Sequence, residues 1–106
     1  MMLVVFRSRL RDDNAQEFSA LADELTPVAQ SMPGFISYKV FVAEDGERCS
    51  LIEFETAEQL QAWRTLAEHA EAQQKGRERY YESYSLQIGE PQRESRFDRR
   101  EAGADT

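Results

Sequence analysis

Large apolar side chains recur along this chain in two rhythms. Over Met2 to Leu10, Phe35 to Ala43, Glu47 to Glu55 and Tyr80 to Ile88 they crowd into short runs rich in Val, Ile, Phe and Tyr. Such runs fit a pleated surface, so four strands are expected. Between them the spacing changes to three and four. Phe18, Leu21, Ala22, Leu25, Val28, Ala29 and Met32 form one stripe; Leu60, Trp63, Leu66, Ala67 and Ala70 form another. That period predicts two amphipathic helices. Asn14 with Glu17, and Thr56 with Gln59, have the capping-box spacing that opens a helix. Pro33-Gly34 ends the first helical region and Gly76 is the expected stop of the second. Pro27 interrupts the first stripe, and its missing N–H predicts a kink, or a restart capped by Thr26. Asp45-Gly46 predicts a tight hairpin between strands two and three.

The order is therefore β-α-β-β-α-β, an α+β arrangement of ferredoxin-like type: an antiparallel four-stranded sheet with both helices on one face. A sheet with its second face in water should alternate apolar and polar residues. Here both parities carry large side chains. Leu3 and Val5 oppose Val4 and Phe6; Phe35 and Phe41 oppose Ile36, Tyr38, Val40 and Val42; Leu51 opposes Ile52 and Phe54. Burying one such side chain is worth roughly 1.5–3 kcal/mol. Leaving several in water would cost on the order of 10 kcal/mol, as much as the stability of a whole domain. The sheet is expected to pack on the sheet of a second copy, making a homodimer; the alternative is a monomer with an apolar face exposed.

Composition narrows this picture. A chain of 106 residues has room for one core, expected over residues 1–90. Residues 91–106 form a charged tail with Phe97 as its only large apolar side chain, expected to be flexible or to lie on the partner subunit. The net charge is −7, which repels phosphate backbones and argues against nucleic acid. Strand three also lacks an RNA-recognition pattern. No apolar run is long enough to span a bilayer and no secretory leader is visible, so a cytoplasmic location without membrane attachment is expected. Cys49 is the single cysteine. It has no partner for a disulfide, offers no Cys-rich metal site, and reads as a small buried hydrophobe in strand three.

Several segments in order carry a resemblance. They are Val4-Val5-Phe6-Arg7-Ser8-Arg9-Leu10, Met32-Pro33-Gly34-Phe35, the run from Leu51 to Trp63, and the late His69 ahead of Tyr80-Tyr81-Glu82-Ser83-Tyr84. Together, over about residues 2–89, the chain resembles the antibiotic biosynthesis monooxygenase family of the dimeric α+β barrel group. The resemblance implies two sheets face to face and, in each subunit, a pocket between helices and sheet. Several relatives oxidise aromatic polyketides or quinols with oxygen and neither metal nor flavin, so no cofactor is expected. The protein then deprotonates, orients and shelters an electron-rich phenol.

On that reading His69, the only histidine, is the candidate base, since its unperturbed pKa lies near neutrality. A solvated surface histidine is the plain alternative, because Glu68 and Glu71 flank it and a continuous helix would turn it away from Trp63. Trp63 is either a core tryptophan or a flat pocket wall. Phe54, Phe6 and Leu66 would shape the pocket, with Ser8, Tyr38 and Gln73 as polar contacts. The other tyrosines could line it too, or simply pack. Arg7 and Arg9 are expected to pair with Glu53 or Glu55. Ser8 and Gln73 stand where haem-degrading relatives carry an asparagine and an axial histidine, and glutamine is no axial ligand, which disfavours haem. The expected function is a cofactor-independent monooxygenase acting on a small aromatic or quinol. The rival is a non-catalytic ligand-binding or stress-associated dimeric module.

Overall fold

In the computed structural model, which describes residues 1–12, 15–66 and 79–102, the β-rich runs become β1 (Met2–Leu10), β2 (Phe35–Val42), β3 (Arg48–Phe54) and β4 (Tyr81–Gly89). They form one antiparallel sheet in the order β2-β3-β1-β4. Helix α1 (Ala15–Ser31) connects β1 to β2, and α2 (Ala57–Arg64) follows β3. This is the ferredoxin-like α+β fold. Beyond Gly89 the described chain holds only a short helix, α3 (Arg99–Ala102), and Phe97 is 72% exposed.

Register decides which side chains face the helices. Val4 pairs with Ile52 and Ile88, Phe6 with Ser50 and Leu86, and Ser8 with Arg48 and Tyr84. These even-numbered positions lie under the helices, where Val4, Ile52 and Phe54 join Ala29, Leu60 and Trp63 in the buried core. The other face carries Leu3, Val5, Leu51 and Cys49 at its centre, with Phe41, 53% exposed, toward the β2 edge. Arg7 and Arg9 share that face. They pair with Glu47 and Asp45 of the hairpin rather than with Glu53 or Glu55, each at 2.7 Å. The antiparallel register runs β1 toward the hairpin end of β3, away from Glu53, which Ser37 engages instead.

Strand two departs from simple alternation. Phe35 pairs with Phe54 and Ser37 with Glu53, so Ile36 is an extra residue in a bulge. The bulge moves Phe35 onto the helix face with Tyr38, where its ring meets Phe54 edge-on at 5.9 Å. The assignment of Phe35 to the face of Phe41 is thereby corrected.

Local chemistry explains the turns and helix ends. Gly46 closes the hairpin at φ +91, a left-handed angle that glycine adopts without a Cβ clash. Gly34 stands at φ +82, and a Cβ there would collide with the Gln59 side chain. The Pro33-Gly34 turn is thus pinned against the start of α2, and Gly34 O accepts from Glu55 N. Thr56 caps α2 by accepting from Gln59 N at 3.1 Å.

Two expectations about the helices are overturned. Helix α1 runs unbroken through Pro27, so of the two alternatives there the restart is overturned. Thr26 does not cap a restart: its hydroxyl donates to Ala22 O within the helix. Helix α2 ends at Arg64, not near Gly76; Thr65 is its C-cap at φ −96 and ψ 0, and its hydroxyl donates toward Gln61 O and Ala62 O. Those last carbonyls need a partner at any helix end, and Thr65 supplies one. Among the described residues no helix is long and apolar enough to cross a membrane.

Candidate functional site

Between the helices and the even-numbered face of the sheet lies a cavity of about 240 Å³. The α1 stripe makes its roof through Phe18, Leu21, Leu25 and Thr26. These residues stay only half-buried because they face open space rather than close-packed side chains. Val4, Phe6, Ser50 and Ile52 form the floor, and Tyr38, Tyr80, Tyr81 and Tyr84 line it from β2 and from the start of β4. Trp63 and Arg64, in the last turn of α2, also line it.

The walls are mutually braced aromatic rings. Tyr81 lies 5.4 Å from Phe6 at 70° and 5.6 Å from Tyr84, and Phe18 meets both Tyr80 and Tyr81 edge-on at 5.8 Å. Edge-to-face pairs of this kind add to burial because a positive ring edge meets a negative ring face. A second bulge, between Arg9 and Leu10, gathers Tyr81 and Tyr84 on one side of β4. Trp63 stacks on Phe54 at 5.6 Å and 27° and is nearly buried.

Burial, followed by the neighbouring phenols of Tyr38 and Tyr84, pushes the Tyr81 hydroxyl up to about 12; Arg48 partly opposes this. Tyr81 is therefore a neutral hydrogen-bond donor at physiological pH and not a base. Arg48, on the same sheet face, holds its guanidinium over the Phe18 ring at 5.4 Å. Among the described residues no group of three or more His, Cys, Asp or Glu could hold a metal ion.

The residues singled out in the sequence fall into three groups. Trp63, Tyr38 and Phe6 line the cavity together. Phe54, Ser8 and Leu66 do not: Phe54 is fully buried behind Trp63, Ser8 is buried on β1 facing the helices, and Leu66 packs against the core. His69 and Gln73 lie outside the described residues. One continuous helix would turn His69 away from Trp63, but α2 ends at Arg64, before His69. Sequence reasoning passed over Phe18, Ser50 and Arg64. Phe18 was visible as the first member of the α1 stripe. Arg64 had no signal, because in a helix continuing to Ala70 it reads as a mid-helix surface residue.

Comparisons with known proteins agree with this architecture. The chain is 27% identical over 94 residues to the uncharacterized protein YqjZ of Bacillus subtilis (strain 168), covering 89% of this chain and 82% of that protein. It is 32% identical over 93 residues to the jasmonate monooxygenase ABM of Pyricularia oryzae (strain 70-15), covering 85% of this chain but only 43% of that protein. The fold matches that of SnoaB, a cofactor-independent oxygenase from Streptomyces nogalater, with a TM-score of 0.72 at 10% identity, over 88% of this chain and 94% of that one. The sequence pattern of the antibiotic biosynthesis monooxygenase family matches residues 1–75, and the chain belongs to that family.

Proposed function

We propose that this chain is a homodimeric, cofactor-independent monooxygenase for a small aromatic or quinol-type substrate, bound in the cavity under α1. The observation that carries this reading is the cavity itself. Its aromatic walls suit a flat ring, and the Tyr81 hydroxyl offers a donor that stays protonated. Membership in the family, and the names of the jasmonate monooxygenase and the cofactor-independent oxygenase to which the chain is similar, support oxygen as co-substrate.

In the reaction, a base removes the phenolic proton and the phenolate gives an electron to O₂. The resulting radicals join at a ring carbon as a peroxide. Loss of water then leaves a quinone, so one oxygen atom enters the ring and the other departs as water. The chain's part is to deprotonate, orient and exclude bulk water. His69 is the proposed base on its chemistry alone. The second copy packs through the face bearing Leu3, Val5, Leu51 and Phe41, and the tail from Pro91 lies on that partner.

An oxygen electrode and a panel of naphthols, hydroquinones and anthrones test the activity. Uptake is expected with at least one of them, with label from ¹⁸O₂ in the product. His69→Ala is expected to lower kcat about 100-fold or more, the usual contribution of a positioned base. No uptake above the buffer rate across the panel would leave the oxygenase reading without support. Full activity in His69→Ala would remove only the base assignment.

A further inference from the structure

The charges around the cavity run opposite to the rest of the chain. Acids outnumber bases 20 to 13 overall, yet no Asp or Glu is found among the described lining residues, while Arg64 is. Arg48 adds a second guanidinium on the same sheet face, close enough to Tyr81 for its charge to be felt there. Elsewhere five described arginines pair with carboxylates: Arg7 with Glu47, Arg9 with Asp45, Arg79 with Glu17, Arg96 with Glu94 and Arg100 with Asp98. Arg93 and Arg99, which show no such pair among the described residues, are exposed to water. Among the described residues Arg48 and Arg64 have no carboxylate partner. Arg64 is also half-buried. A guanidinium withdrawn from water without a counter-charge is costly, and a bound anion offsets that cost.

We propose that the cavity takes a small organic anion, a molecule of one or two rings whose carboxylate or phenolate is held by Arg64, with Arg48 adding a second positive charge nearby. A guanidinium presents a planar fork that matches a carboxylate in two parallel hydrogen bonds. Phe6, Phe18, Tyr81 and Trp63 then enclose the ring. The volume sets the size: about 240 Å³ is below the roughly 300–1,000 Å³ of sites that take drug-sized ligands. If the anion is the reacting phenolate, the same arginines lower its pKa and raise the fraction ready to reduce oxygen.

The inference rests on the cavity being the ligand site, and its test is a binding measurement independent of turnover. Calorimetric titration of the full chain would compare 2-naphthoate with its neutral isostere 2-naphthamide. The anion is expected to bind at least tenfold more tightly, with the preference shrinking at high salt. Arg64→Gln is expected to abolish the preference, Arg64→Lys to keep part of it, and Arg48→Gln to weaken it. Circular dichroism checks that each variant is folded; should Arg64→Gln unfold, the Lys and Arg48 variants and the salt series still decide. Equal affinity for acid and amide overturns the inference. So does a preference that survives Arg64→Gln, or failure of both compounds to bind at millimolar concentration. Equal affinity with phenol oxidation intact would overturn this inference alone, whereas a clear anion preference without oxygen uptake would overturn the oxygenase reading alone.

Discussion

Tyr81 joins the chemistry of the cavity to its packing. Its ring touches Phe6, Phe18 and Tyr84, and its hydroxyl is held in the neutral form by burial and by the phenols beside it. An ordinary phenol ionises near 10, and this one is raised to about 12. Below about pH 10 both folded and unfolded chains keep the proton, so Tyr81 adds no pH dependence there. Between about 10 and 12 the unfolded chain has lost a proton that the folded chain keeps, so stability falls as pH rises through that window. Tyrosinate absorbance should therefore show one late-ionising group in the wild type that is missing in Tyr81→Phe. Identical titration curves for the two proteins would assign the late group elsewhere.

Among the elements, α1 and α2 show how far local rules reach. Pro27 was expected to kink α1 or to restart it, because it lacks an N–H and crowds the preceding turn. The helix continues because its stripe does. Leu25 faces the cavity, Ala29 is buried in the core and Met32 packs against it, so a restart would pull one of these off the sheet. Pro27→Ala should return an N–H to the Asp23 carbonyl and stabilise the protein by about 1–3 kcal/mol, offset in part by a freer unfolded chain. Urea denaturation reads this directly, and a loss of stability would mean that Pro27 contributes through its own packing. In α2 the cap at Thr56 was legible in the sequence. The stop at Thr65 was not, because in the sequence the apolar period of Leu60 and Trp63 runs on through Leu66, Ala67 and Ala70.

For the molecule as a whole, the second sheet face sets the expected assembly. Register puts Leu3, Val5 and Leu51 together at its centre, with Phe41 beside them, a patch suited to a self-complementary two-fold contact. Sedimentation of the wild type should give twice the 12.3 kDa chain mass at micromolar concentration. Leu51→Arg should give the single chain with reduced stability, since it sets a charge in the centre of the patch. A wild-type monomer would show that this face stays in water.

The chain alone determined the element types, their order and the bounds of β1, because apolar periodicity, caps and turn residues act within a few positions of one another. It also determined that both sheet faces carry apolar side chains. Tertiary structure decided what depended on register and on where helices stop. The Ile36 bulge turned Phe35 inward, the end of α2 at Arg64 put a cation at the cavity, and the pairing of β1 with β4 gathered Phe6, Tyr81 and Tyr84 around one space. Residues so far apart in sequence meet only through the pairing of distant strands, and no local pattern encodes that pairing.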